Sequence, residues 1–535
     1  MKRIPIFLCV PMFFFVILTG CDGKKTEGNR FEDDKMVISA MIWEADKSFT
    51  AQPCELYRYI QNRFGIVFEP FDIGWDNYEN LALLWAQADT LPDIIGGVDF
   101  VYTTVFREWI EAGIIRPLPN DLSAYPTLND LISQQFVREL AVNGKNYFIP
   151  RLSSPHPEYT ALARGIINRK DWRERLGIPV PETEEDFLNM WRAFADPANN
   201  LNSNGSVIFG VLPGTLASLD DQTFAGYGDT RTYRWVLQPD GNVVLPGLEP
   251  TALPLLSFLR GAYREGLIDP DFITNAIGDI SWINFAQGRA GSLLRHVVPV
   301  HLNILYEFWK IHSPDIDFFN AVEILLPPRL PGIMPLFLCG TGFWSETYIN
   351  AAVDDEKLDK ILKLYDWLLS EEGTYAMVFG FEGKDWERQN DEIVMLTPLN
   401  KATGKHLIAT DLYQFASGGM SYLAKFPLEN VEWIDPNIPK GVRDMAIGIR
   451  EKMLGPGMGL THSDNRINTI ALSLPEVTQF ALNGREEWAA FITDTTALTH
   501  QELFNRFSAR WTSAGYKTAK EAMTSAVAAS TFPGI

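Results

Sequence analysis

The sequence predicts an α/β fold built on a mostly parallel sheet. Three observations carry this: a strand–helix–strand–helix–strand rhythm between residues 36 and 95, glycines placed where helices should stop, and helical apolar spacing from about residue 385 onward. Residues 36–43 are apolar enough for a buried strand. Residues 54–64 set Leu56, Tyr59, Ile60 and Phe64 at helical spacing, and Gly65 stands where a left-handed cap is needed. Residues 66–71 read as the second strand, 78–88 as the next helix, and Pro92-Asp93-Ile94-Ile95 as the entry to a third strand. Ligands in such sheets bind outside the carboxyl ends of the strands. The loops after Trp43, Phe71 and Ile95 are therefore the first places to look for a site.

The pattern then changes without stopping. Residues 163–168 predict a strand and 170–176 a helix closed by Gly177; 182–195 predict a helix, followed by the Asn/Gly stretch 196–206. Residues 252–265 predict a helix ending at Gly266, and 319–326 a strand stopped by Pro327-Pro328. Leu358, Ile361, Leu362, Tyr365, Leu368 and Leu369 form one apolar face, and Asp354, Asp355 and Glu356 suit the positive end of that helix.

The N-terminus carries a different signal. Lys2 and Arg3 precede an apolar stretch from Ile4 to Leu18, which is the order of a secretory signal over residues 1–20. The stretch is shorter than the roughly 20 apolar residues of a spanning helix. Leu18-Thr19-Gly20-Cys21 resembles the bacterial lipobox, which implies a lipid such as palmitate on Cys21 and a membrane anchorage facing outside the cytoplasm. Residues 21–35 are polar and read as a flexible tether.

Composition limits the partners. The chain has 535 residues, enough for at least two domains, and a net charge of −21. Loss of Lys2 and Arg3 with a signal makes it more acidic still. Such a surface argues against nucleic acid and against an anionic membrane face. Of the four Cys, Cys54 and Cys339 remain beyond the signal and the lipidation site. Export permits a bridge between them, and buried thiols are the alternative.

Seven segments, in order, carry a family likeness: PDIIGG (92–97), EAGIIRPLPNDLSAYPTL (111–128), GKNYFIP (144–150), INRKDWRERLGIPVPETEEDF (167–187), YREGLIDPDF (263–272), FAQGRAGSL (285–293) and SEEGTYAMVFGFEGKDWE (370–387). Together they resemble bacterial extracellular solute-binding proteins of family 1, the lipoproteins that serve carbohydrate ABC transporters. The resemblance implies a two-lobed periplasmic-binding-protein-like (type II) fold with a hinge and a mostly helical C-terminal part. It places lobe one at 36–152 and 327–384, and lobe two at 153–326 and 385–535. The implied function is capture of an oligosaccharide between the lobes and its delivery to the permease of an importer. The implied protein is a monomer that uses no cofactor and does no covalent chemistry. An exported polysaccharide-degrading enzyme and a ligand-presenting sensor are the alternatives.

A sugar needs hydrogen-bonding groups on its rim and an aromatic face against its CH side. Trp43, Glu44, Asp46 and Lys47 match the first-strand loop of maltose-type relatives, and Trp75 lies in the next loop. Asp99 and Phe100 follow the third strand, where Gly97 stands in place of the relatives' Trp. Tyr227, Arg295, His296 and Trp344 occupy positions where relatives present ligand contacts, and Arg151 sits at the first crossing. Lys47, Arg151 and Arg295 together would suit a uronic acid. Asn200, Asn202 and Asn204 resemble the start of an EF-hand-like calcium loop, but Asn replaces Asp and apolar residues 207–209 follow, so the stretch is a weak calcium candidate and reads as a turn. The chain lacks a Gly-x-Ser-x-Gly elbow, a phosphate-binding Gly-rich loop before Lys-Ser/Thr, and a His-Glu-x-x-His motif. Its 67 Asp and Glu leave a glycosidase pair open.

Overall fold

The computed structural model describes residues 35–43, 45, 49, 54–74, 77–152, 164–202, 208–214, 218–219, 222–273, 280–339, 343–390, 392–398, 420, 423, 434–462, 464–480 and 482–530. Its strands are β1 Met36–Trp43, β2 Ile66–Ile73, β3 Ile94–Val98, β4 Phe148–Leu152, β5 Arg164–Arg169, β6 Phe209–Pro213, β7 Val236–Leu237, β8 Val243–Val244, β9 Ala290–His296, β10 Val322–Leu325, β11 Leu336–Cys339, β12 Phe343–Ile349, β13 Trp386–Gln389, β14 Glu392–Met395 and β15 Gly459–His462.

Two open sheets organise them. The first has the order β2-β1-β3-β12-β4 and the second β10-β5-β9-β6. β1 runs parallel to β2 and to β3, with helices Glu55–Phe64 and Tyr78–Gln87 as the crossovers. Every residue of β3 is buried, as expected of a strand covered on both faces. β12 arrives from far along the chain and inserts antiparallel between β3 and β4. In the second sheet β9 pairs antiparallel with β5 and parallel with β6.

Local chemistry sets the helix ends. The Cys54 Sγ accepts from the Tyr57 N–H at the start of helix Glu55–Phe64, and Gly65 closes it at φ 62°. Thr183 and Asp186 form a capping box at the start of helix Glu184–Ala195. Asp354 caps helix Asp355–Leu369 through the Lys357 N–H. The predicted strand 319–326 is half right. Phe318–Ala321 is a helical turn, because the Asp317 carboxylate accepts from the Asn320 N–H, and the strand proper is Val322–Leu325.

Separate apolar cores underlie the two sheets. The first draws on residues from Ile38 to Ile149 and from Phe343 to Met377, and also takes in Met420 and Leu423. The second joins Ile166 through Leu325 to the C-terminal helices, from Ile467 to Val527. A third cluster, on β5 and β9 and on helices Pro299–His312 and Lys440–Met453, completes the second sheet. A hydrogen-bonded chain crosses that sheet. The Trp191 Nε1–H donates to Ser292 Oγ (3.0 Å), Ser292 to Asn168 Oδ1 (2.9 Å), and Asn168 to Glu323 Oε1 (2.9 Å), while Arg173 grips Glu323 at 2.6 and 3.0 Å. From 440 onward helices dominate, although β13 and β14 form a hairpin with Trp386 packed on Tyr375 and Phe379. Among the described residues no helix is long and apolar enough to cross a membrane.

The chain returns from the second sheet to the first through 326–335. That segment lies against Gly226, whose absent Cβ would stand 1.9 Å from the Pro328 carbonyl oxygen. The Arg329 N–H donates to the Glu182 carbonyl at 3.2 Å and fixes it further. Gly226→Ala should destabilise the protein by about 1–3 kcal/mol through overpacking. Gly448→Ala, in helix Lys440–Met453 with open space around the added methyl, should stabilise it by about 0.5–1 kcal/mol. Urea midpoints at unchanged m-value test both.

Candidate functional site

A cavity of about 470 Å³ opens where the two lobes meet. One wall comes from the segment after β3, with Asp99, Tyr102, Thr103 and Thr104, and from Phe343 to Glu346 on β12. Tyr233, Arg234 and Trp235 face it, with Asn468 and Thr478 from the C-terminal helices. The lobes touch along its edge. The Tyr102 hydroxyl donates to Asn465 Oδ1 at 3.0 Å, Arg466 stands 3.9 Å from Glu139, and the Arg234 guanidinium lies 4.3 Å over the Tyr102 ring.

An irregularity in β12 builds the first wall. Ser345 has φ 66°, a left-handed conformation that non-glycine residues adopt at a cost. Pairing to β3 shifts register between Glu346 and Tyr348, and pairing to β4 shifts between Phe343 and Glu346. Such bulges re-aim side chains. Here Trp344 is left 39% exposed on the cavity while Glu346 is fully buried.

Glu346 is the electrostatic centre of this wall. Its Oε1 accepts from the Val101 N–H at 2.9 Å and the Tyr348 hydroxyl at 2.6 Å. Its Oε2 is buried and has no hydrogen-bond partner among the described residues. Burial raises its pKa to about 8, against hydrogen bonds from Tyr348, Val101 and, more weakly, the Phe100 N–H, and with a small push from the Asp99 charge. Burial, and then the Glu79 carboxylate, raise Asp99 as well. The Tyr78 hydroxyl lies 3.0 Å from Glu79 and 3.2 Å from Asp99, and burial and both charges hold it in its neutral form.

Of the residues expected from sequence, Asp99 and Trp344 line this cavity, and Arg151 lays its guanidinium 5.0 Å over the Trp344 ring. Trp43 stands one layer behind: it is buried, and its ring packs 5.0 Å from that of Tyr78. Phe100 is a core residue instead of a contact, edge-on to Trp109, because its side chain turns into the apolar layer under β3. Tyr227 is likewise buried in the second core beside Phe258, with its hydroxyl donating to Glu184 at 2.6 Å. Arg295 and His296 end β9 and do not line the cavity. Arg295 covers the Trp282 ring at 5.0 Å. The His296 ring stacks on His301 at 4.5 Å, and burial together with His301, Arg164 and Arg295 holds its pKa well below the ordinary value. Cys21, Glu44, Asp46, Lys47, Trp75 and Asn204 lie outside the described residues.

The calcium candidate does not fit. Asn202 turns its amide N–H₂ to the Gly288 carbonyl at 2.9 Å, and Asn200 is a left-handed helix cap. Neither offers the carboxylates that calcium wants. Among the described residues no group of three or more His, Cys, Asp or Glu could hold a metal ion. Sequence reasoning missed Glu346, Tyr102 and Arg234. The signal for Glu346 was weak: an acid between Ser345 and Thr347 in a strand run with aromatic or apolar residues at its two ends, Phe343–Ile349.

No family model matches the chain. The polygalacturonan/rhamnogalacturonan-binding protein YtcQ of Bacillus subtilis is 21% identical over 387 residues, covering 70% of this chain and 72% of its own. Lipoprotein LipO of the same organism is 21% identical over 397 residues, covering 72% and 74%. The solved structure of the Streptococcus pneumoniae ABC-transporter substrate-binding protein FusA with kestose has a TM-score of 0.65 at 15% identity, covering 91% of this chain and 98% of its own. The alginate-binding protein AlgQ2 gives 0.65 at 16%, covering 92% and 98%. The chain has the two-lobed fold of these extracellular solute-binding proteins. In that fold the two sheets belong to the two lobes, and the cavity lies in the groove between them.

Glu346 generates a stability test. Its folded pKa of about 8 lies above the ordinary 4.5, so the native state holds a proton that the unfolded chain releases. Its contribution to stability is fully present below about pH 4.5 and is lost as pH rises to about 8. Glu346→Gln removes that loss. It should raise stability by on the order of 3 kcal/mol at pH 7 and make little difference at pH 4. Thermal unfolding of both proteins across pH reads the difference.

Proposed function

We propose that the protein is a lipid-anchored receptor that captures an oligosaccharide between its lobes and delivers it to an ABC importer, without altering it. The observation that carries this reading is the interlobal cavity, which combines aromatic faces with hydrogen-bonding groups. Trp344 and Tyr233 line the cavity 39% and 43% exposed, with Arg151 laid over the first ring and Arg485 over the second, and they offer aromatic surface to sugar CH groups, while Asp99, Asn468, Thr103 and Thr104 can meet hydroxyls. The lobes are taken as 36–152 with 327–384, and 153–326 with 385–535, with Met420 and Leu423 reaching back into the first core. Ligand bound to both walls favours the closed arrangement by its differential affinity. The importer reads that arrangement. Glu44, Asp46, Lys47 and Trp75 are kept as ligand contacts on sequence grounds alone. The signal at 1–20 and lipid on Cys21 anchor the receptor outside the cytoplasm, a reading supported by the lipoprotein among its relatives.

The alternative of a polysaccharide-cleaving enzyme needs two carboxyl groups flanking a glycosidic bond, about 5–10 Å apart. The two carboxyls of the cavity, Asp99 and Glu346, share one wall, and Glu346 pairs in register with Val98, the residue before Asp99. They cannot stand on opposite faces of a sugar ring. That favours holding over cutting.

Thermal shift against plant and microbial oligosaccharides tests the receptor. A binding sugar should raise the melting temperature. Trp344→Ala and Asp99→Ala should each weaken its affinity about tenfold, from lost stacking or one lost hydrogen bond at about 1–1.5 kcal/mol. Prolonged incubation should return the sugar intact. Stabilisation by peptides or metals with none by sugars, or appearance of cleaved sugar, overturns the reading.

A further inference from the structure

The cavity carries information about ligand charge that the comparisons leave open. Relatives and neighbours include proteins named for polygalacturonan and alginate, which are polyuronates, and one solved with kestose, which is neutral. The first-lobe wall sets the terms. Glu346 receives its two closest donors, the Val101 N–H and the Tyr348 O–H, on Oε1, and the Phe100 N–H bears on the carboxyl more weakly. A proton on this carboxyl therefore sits on Oε2, the buried oxygen with no partner among the described residues. The acid is left as a donor with no acceptor among the described residues, in a residue that lines the cavity. Buried polar atoms without partners are few in folded proteins and call for a cause.

The surrounding charges point the same way. Asp99 ends β3 on this wall, and Glu79 stands behind it, joined through Tyr78. Tyr348 is held neutral beside it by burial and the Glu346 charge, and the Tyr102 hydroxyl is turned to Asn465. Among the described residues Arg234 is the cation that lines the cavity, with its guanidinium over the Tyr102 ring, and Arg151 and Arg485 stand behind the lining, laid over the Trp344 and Tyr233 rings. A uronate carboxylate could accept one hydrogen bond from Glu346, but it would then stand against Asp99 and Glu79 in a partly desolvated space. A neutral sugar accepts the same bond through a ring or hydroxyl oxygen and offers its own hydroxyl hydrogens to Asp99.

We propose that Glu346 is a specificity-determining residue, an uncharged acid that donates a hydrogen bond from Oε2 to a neutral sugar residue, and that this subsite discriminates against uronates. The inference rests on the receptor reading above and narrows its ligand class. It runs against the expectation that Lys47, Arg151 and Arg295 serve a uronic acid. Arg151 and Arg295 are instead laid over Trp344 and Trp282.

The test uses the full processed chain and calorimetric titration with matched pairs: oligogalacturonides and mannuronides, each beside its carboxyl-reduced, neutral counterpart of the same length and linkage. For each backbone that binds, the neutral member should bind at least about tenfold more tightly, the scale of one well-placed hydrogen bond with a charge penalty. Glu346→Gln keeps a donor and should hold neutral-sugar affinity at pH 7, whereas Glu346→Leu should lose about tenfold. Bound sugar covers Oε2–H and raises the Glu346 pKa further, so binding takes up a proton above the free value. Wild-type affinity should be flat below about pH 7 and fall above about pH 8, while that of Glu346→Gln stays level. Melting temperatures confirm that each variant is folded. A uronate bound as tightly as its neutral partner, or a Glu346→Leu protein that binds neutral sugar like the wild type, overturns this inference and leaves the receptor intact. Failure of every saccharide, charged or neutral, on this panel and in the wider screen overturns the receptor reading and this inference with it.

Discussion

The insertion of β12 between β3 and β4 is the constraint on which the rest of the molecule depends. The first sheet cannot be completed by the chain that begins it. β4 is laid down with a gap beside β3, the second sheet is then built, and only afterwards does β12 return to fill the gap with antiparallel pairs on both sides. Two passages between lobes follow from that order, and a groove lies where they meet. The returning strand also supplies the groove's floor. It is regular where Tyr348 and Ile349 pair with β3, and broken at Ser345, where the side chains change direction. A regular strand would alternate its side chains strictly between the two faces of the sheet. The bulge lets Trp344 face the groove while Glu346 stays buried beneath it.

The two lobes are held internally far more strongly than they are held to each other. Within the second lobe, the chain from Trp191 to Arg173 satisfies buried polar groups on three strands and two helices, and losing one member strands its neighbour. The described contacts across the groove edge are of another kind: one tyrosine hydroxyl on an asparagine, a long ion pair, and a guanidinium on a ring. Each such contact contributes about 1 kcal/mol or less when solvent reaches it. A ligand gripping both walls needs only a few kcal/mol of differential affinity to set the balance between open and closed lobes. Rigid lobes with a weakly latched seam are what that division of strength produces.

Much of the fold was legible because its signals are local. Apolar spacing located β1, the helix after it and the Asp354-capped helix, and Gly65, Gly177 and Gly266 all adopt the positive φ expected at helix ends. The strand predicted at 319–326 lost its first residues to a helical turn, because one capping aspartate outweighed the strand propensity of two phenylalanines. The site was less legible. Aromatic residues near strand ends serve cores as readily as ligands, and Phe100 and Tyr227 went to cores. Glu346 was invisible for the opposite reason. An acid between a serine and a threonine reads as a solvent-facing strand residue, and only pairing with β3, remote in sequence, makes it central. Arg234 and Tyr102 meet across the lobes, a relation that no periodicity encodes.

The acidity of the chain and that of the cavity are different matters. A net charge of −21 creates a field around the whole molecule, and that field opposes any anion at long range. At physiological ionic strength it fades over a Debye length of about 8 Å, so it slows an encounter more than it decides what is kept. What is kept depends on groups that water no longer screens. In the groove those are Asp99, pushed toward its neutral form by burial and by Glu79, and Glu346, driven to the same form by burial alone in the main. Two carboxyls on one wall can coexist there because at least one remains protonated. An uncharged acid costs far less to bury than a carboxylate, and it presents a hydrogen where a carboxylate would present only lone pairs. The surface charge repels anions weakly from afar. The wall turns that weak bias into a choice between a hydroxyl and a carboxylate.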